Sequence, residues 1–185
     1  MSLMKTSHGL RKQRGFTLVE TMIAMAVLSF GILSLASIYT QGLKASYQSQ
    51  IQFIAQQKAQ EALETIFTAR DTKLLTWSQI TNISQGGVFK DGPQVLCAAG
   101  TDGLFGTADD VIAQPDFVVI GPGPDKIFGT ADDVVMPLNP WMTRTILFTP
   151  SPTTPNLNQV TITIKWAYAG QSSQFQIISY ISNYA

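Results

Sequence analysis

The run from Phe16 to Tyr39 constrains this chain more than any other feature. It is 24 residues long and has no proline, and from Met22 to Ile38 it has no charge and only Ser29, Ser34 and Ser37 as polar side chains. About 20 helical residues cross the hydrocarbon core of a bilayer, so the run is long enough to span one. Lys5, Arg11, Lys12 and Arg14 precede it with no acidic residue among them. Basic residues on one side only place residues 1–15 in the cytoplasm and everything after Tyr39 across the membrane. Glu20 breaks the pattern. A charged side chain at the centre of a membrane helix costs about 2.5–3.5 kcal/mol even on insertion scales, so Glu20 calls for a cation to meet it.

Two plainer readings leave that carboxylate unused. Ser34-Leu35-Ala36 has the small-x-small form of a secretory cleavage site, and a simple membrane anchor needs only the apolar run. The sequence beyond Tyr39 continues as helix, however. Leu43, Tyr47, Ile51, Ile54, Lys58, Ala62 and Ile66 recur at steps of four and three, with glutamines filling much of the rest. No proline occurs before Pro93. The spacing predicts one helix from about Phe16 to about Ala69, roughly 80 Å long. Its first half is apolar all round, and its second half needs a domain against one stripe.

The string "RGFTLVE", followed by "TMIAMAVLSFGILSLASIYT", resembles the class III signal of type IV pilins and type II secretion pseudopilins. The resemblance rests on a short basic leader ending in Gly15, Phe16 at the cut, Glu20 as the fifth residue after it, and the long apolar helix. It implies that a prepilin peptidase cuts between Gly15 and Phe16 and methylates the new amine of Phe16. It also implies that Glu20 pairs with the amino terminus of a neighbouring subunit, so that Glu20 and Phe16 are the assembly residues. The portion "LSFGILSLA" most resembles minor pilins.

Composition narrows the remainder. The net charge of zero splits into a basic leader and a mildly acidic body, with eight Lys+Arg against twelve Asp+Glu after Gly15. A body without a basic stripe lacks the surface that nucleic-acid binding needs. Cys97 is the only cysteine, which excludes an intramolecular disulfide, and in "VLCAA" it reads as a small buried hydrophobe. His8, the only histidine, lies in the leader. With no nucleophile elbow or phosphate loop either, no catalytic residue is expected.

After Ala69 glycine, proline and aspartate rise, as in turns and strands. Val160, Ile162, Ile164, Trp166 and Tyr168 alternate with Thr161, Thr163, Lys165 and Ala167, which predicts a strand with one apolar face. "AGQSS" supplies a turn, Phe175, Ile177, Ser179 and Ile181 return, and Thr143–Phe148 gives a third strand. The expected fold class is α+β: a long N-terminal helix packed on a C-terminal antiparallel sheet, each covering the other's apolar face. The expected organisation is a cleaved leader (1–15), a membrane and assembly half of the helix (16–39), an amphipathic half (40–69) and a β-rich body (70–185).

Within the body, "GTDGLFGTADDVI" from Gly100 recurs as "GPDKIFGTADDVV" from Gly123. Each copy offers one aspartate and then a pair: Asp102 with Asp109 and Asp110, Asp125 with Asp132 and Asp133. Six carboxylates in two tight turns repel unless neutralised, and calcium collects such oxygens together with backbone carbonyls and water. The strings are similar to aspartate-rich calcium turns of bacterial surface proteins, although they do not match an EF-hand loop. Plain solvated turns, in which Asp and Gly satisfy local geometry, are the alternative.

The expected function is that of a structural subunit, a minor pilin of a type IV pilus. Such a subunit is inserted in the inner membrane, processed by prepilin peptidase and assembled with other pilins into a surface filament. The alternatives are a minor pseudopilin of type II secretion and a membrane-tethered calcium-dependent adhesin, the latter having no use for Glu20.

Overall fold

A computed structural model describes residues 15–138, 140–168 and 170–183. All of the expected leader except Gly15 lies outside the described residues, His8 included. The first element is a single helix, α1, Leu18–Asp71, shifted two residues later at each end than the periodicity predicts. It ends where Lys73 turns left-handed at φ 59° and the Leu75 N–H reaches back to the Ala69 carbonyl at 3.2 Å.

The chain divides into two compact units, Met1–Gln48 and Ser49–Ala185. In the first, every described residue is exposed, including the apolar side chains from Phe16 to Leu43. Leu43 and Tyr47, expected in the covered stripe, are also exposed.

In the second unit the stripe is covered from Ile51 onward. Ile51, Ile54, Ala55, Ala59, Ala62, Ile66 and Ala69 are buried at helical spacing against the sheet side chains Phe148, Val160, Ile162, Ile164 and Trp166. Fully burying one such Ile or Val contributes about 1.5–3 kcal/mol. Lys58 falls on this stripe for a reason the apolar pattern does not contain. Its Nζ lies 2.8 Å from Asp116 Oδ1 and 2.9 Å from Glu61 Oε2, so its charge is paired while its stem packs.

Four strands make the main sheet: β1 (Gln94–Val95), β6 (Met142–Pro150), β7 (Leu157–Tyr168) and β8 (Gln171–Ser182), in the spatial order β1-β6-β7-β8 and antiparallel throughout. Ile146, Ile162 and Ile177 stand in one cross-strand row, as do Phe148, Val160 and Ser179. The apolar alternation read from Val160 to Trp166 is the buried face of β7, while Tyr168, expected on the same face, is exposed. The α+β architecture expected from the sequence is the one the chain adopts. The β7–β8 connection is tighter than "AGQSS" suggests, because Gln171, Ser172 and Ser173 already pair with Tyr168, Ala167 and Trp166.

Two small antiparallel ribbons complete the body: β2 (Cys97–Ala98) with β3 (Val111–Pro115), and β4 (Phe117–Gly121) with β5 (Val134–Pro137). Each ribbon carries one copy of the repeat between its strands. Asp116, between them, is tied to the helix through Lys58. Cys97 is buried, as expected, and burial raises its thiol pKa. Arg70, in the last turn of α1, donates to the Ser182 carbonyl at 3.3 Å and ties the end of β8 to the helix without a disulfide.

β1 covers β6 only at Thr143 and Arg144. Beyond it the side chain of Asn82, 1% exposed, takes the place of a neighbouring strand. Its Nδ2 donates to the Ile146 carbonyl and its Oδ1 accepts from the Phe148 N–H, both at 2.8 Å. Removing it leaves a buried acceptor and a buried donor unpaired. Asn82→Ala is expected to destabilise the body by about 2 kcal/mol, checked by urea unfolding. A midpoint within error of wild type would mean that the edge is satisfied in another way.

Candidate functional site

Two sites were singled out by the sequence, the start of the helix and the repeated acidic turns. At the first, Thr17 and Glu20 cap the helix reciprocally. The Thr17 N–H and Oγ1–H donate to Glu20 Oε2 at 2.9 and 3.0 Å, and the Glu20 N–H donates to Thr17 Oγ1 at 3.2 Å. This is a capping box, which satisfies orphan amides of the first turn. Thr17 escaped the sequence reading, although T-x-x-E ahead of an apolar run is a helix-start signature visible in "TLVE". All three bonds run between Thr17 and Glu20, and on the carboxylate they fall on Oε2. Neither Thr17 bond engages Oε1. Gly15 and Phe16 stand immediately before this cap, and Phe16 is 87% exposed.

At the second site the two copies of the repeat fold alike. Asp102 Oδ1 accepts from Leu104 N–H, and Asp125 Oδ1 from Ile127 N–H, both at 2.8 Å. Asp109 Oδ2 takes the Asp102 N–H at 3.1 Å, and Asp132 Oδ2 the Asp125 N–H at 3.2 Å. Their Oδ1 atoms accept from Thr107 and Thr130. Asp110 Oδ2 takes the Gly106 N–H and Asp133 Oδ2 the Gly129 N–H. A Cβ on Gly100 would overlap the Asp109 side chain, and one on Gly123 would overlap Asp132. This explains the glycine that opens each copy. Gly103 (φ 70°) has Lys126 (φ 60°) as its counterpart, so the second copy keeps the same left-handed turn with a residue that does not favour it.

These bonds set the charges. Hydrogen bonds from Thr107, the Asp102 amide and Thr101 bring the Asp109 pKa down to about 2, and those from Thr130 and the Asp125 amide lower that of Asp132. Asp110 moves the other way, because burial raises it against the pull of the Gly106 amide, Arg144 and Lys90. One oxygen per turn, Asp110 Oδ1 and Asp133 Oδ1, is shielded from solvent without a hydrogen-bond partner.

Among the described residues, no three of His, Cys, Asp or Glu gather into a group that could hold a metal ion. The six aspartates named as calcium ligands are each turned toward their own backbone. Any calcium there would draw on main-chain carbonyls and water as well as carboxylates.

The first turn rests on a buried cation that the sequence reading did not pick out. Arg144, 2% exposed, occupies an inward position of β6. Its Cζ is 4.3 Å from the centroid of the Phe105 ring, and its Nε and Nη1 have no hydrogen-bond partner. Burial lowers its pKa, and the carboxylates of Asp110, Asp116 and Glu61 counter that by holding it charged.

By length and composition α1 can cross a membrane, and the apolar window that meets this test is wholly exposed. A membrane-capable helix opened by a capping-box glutamate and followed by an antiparallel body makes this an α+β chain with an exposed apolar N-terminal helix. Residues 10–36 match the family model described as the prokaryotic N-terminal methylation motif. The match covers the amino-terminal signal alone, and over those residues the chain is similar to type IV pilins. No curated protein and no solved structure matches it.

Proposed function

We propose that this chain is a minor pilin. In this reading it is a structural subunit that rests in the inner membrane, loses residues 1–15 to prepilin peptidase, is methylated on Phe16, and enters a type IV filament through residues 16–39. Residues 40–69 carry the body, 70–185. No enzymatic role and no nucleic-acid partner belong to this reading. The observation that carries it is Glu20, held by Thr17 at the head of an exposed apolar helix and four residues from the new amine. A tethered protein that never polymerises would use that carboxylate only for the Thr17 cap. Shearing fibres from host cells tests the proposal: the chain is expected in the fibre fraction, and its confinement to the inner membrane would contradict it.

Calcium enters this proposal at the second turn. In the first, Arg144 and Lys90 already act on Asp110. Asp125, Asp132 and Asp133 are the carboxylates left to an external cation, with Asp133 Oδ1 the oxygen that no donor claims. At free calcium a hundredfold above its dissociation constant, binding would stabilise the fold by about 2.7 kcal/mol. Chelation is therefore expected to lower the thermal midpoint by roughly 5–10 °C, and Asp133→Asn is expected to abolish that difference. An unchanged midpoint would mean that the turns stand without a metal.

A further inference from the structure

The two acidic turns share a sequence and a hydrogen-bond pattern but not their surroundings. In the first, Leu104, Phe105, Gly106 and Thr107 are buried. Arg144 covers the Phe105 ring, and Gly106 lies so close to β6 that a Cβ there would stand 3.0 Å from Ile146 Cδ1. In the second, the matching pair Ile127 and Phe128 is 60% and 65% exposed. The ribbon behind it has an apolar, exposed face too: Val119 faces Val135 across the ladder, Phe117 shares that face, and all three are open. Apolar groups gathered in this way on a surface mark an interaction site.

We infer that the second turn is a docking knob for a different protein, and that its seat there is an arginine set among branched aliphatic side chains. The seat is specified within the chain itself. The same Leu/Ile-Phe-Gly-Thr-Ala-Asp-Asp turn, given a partner by its own fold, takes Arg144 over the ring and Ile146 beneath the glycine. The attraction has two parts. A guanidinium is drawn to the face of the phenyl ring, and with no calcium bound Asp125, Asp132 and Asp133 outweigh Lys126, so the free turn favours a basic surface and calcium competes with it. A second copy of this chain does not offer the seat, because its own first turn fills it. Three carboxylates beside Phe128 oppose insertion into lipid. The inference stands apart from the filament reading, since the chemistry of the turn alone defines the seat.

The test places the photo-crosslinker p-benzoylphenylalanine at Phe128 of the full chain in its host, and at exposed Thr153 as the background control. Chain abundance and the thermal midpoint verify folding. Irradiation is expected to join position 128 to one other protein, within a segment containing an arginine. Changing that arginine to alanine is expected to cut the adduct about fivefold, the equivalent of about 1 kcal/mol of cation–π attraction. Four results would overturn the inference: an adduct no stronger than at Thr153, one with lipid, one with a second copy of this chain, or one whose segment holds no arginine.

Discussion

Glu20→Ala is expected to reduce incorporation into fibres by a factor of ten or more, while leaving the amount of membrane-inserted protein unchanged or higher. The two readouts move apart for a physical reason. Alanine removes a charged group from an apolar segment, which eases insertion, but it also removes the acceptor that a neighbour's amine would meet. Breaking a buried ion pair from one side costs about 3–5 kcal/mol, and each 1.4 kcal/mol is a factor of ten in occupancy. Thr17→Val separates the cap from the charge. It removes the Oγ1 bonds at 3.0 and 3.2 Å yet keeps the carboxylate, so a smaller loss is expected. Quantitative immunoblots of sheared fibres and of membranes measure both. Equal incorporation of Glu20→Ala and wild type would remove the docking role from this residue.

The second large effect lies in the body. Arg144→Ala is expected to cost about 2–5 kcal/mol, because it removes a buried side chain packed over the Phe105 ring together with the positive charge that acts on Asp110. Arg144→Met keeps the stem and discards two donors that have no partner, so it is expected to cost less. The pH dependence identifies the cause. Burial raises the Asp110 pKa in the folded state, so its contribution to stability is fully present below its unfolded pKa and is lost as pH rises through the folded one. Without the guanidinium the folded value rises further. The penalty of Arg144→Met is therefore expected to grow from pH 4 toward neutrality. Urea unfolding at several pH values measures this, and a penalty independent of pH would make Arg144 a packing residue only.

The helix and the β6–β7–β8 sheet were legible because each repeats a local rule. Periods near 3.6 and 2 survive in sequence whatever lies opposite. The start of the helix was legible as well, since "TLVE" contains its own cap, although only Glu20 was picked out from it. What escaped were polar groups whose partners are remote in the chain. Asn82 completes the edge of β6 from more than sixty residues away, Lys58 meets Asp116, and Arg144 sits where an alternating pattern asks for an apolar side chain. No local period announces such pairs. The repeat shows the same limit from the other side. Two nearly identical strings fold into the same turn, yet one is buried and the other open, because their surroundings come from β6 and not from the repeat.

The most direct test of the central claim is terminal-peptide mass spectrometry on fibre-associated protein from the native host. A chain that begins at N-methylated Phe16, with Glu20 as its fifth residue, is the expected result. A chain that keeps its first fifteen residues, or one that begins after Ala36, would contradict the account.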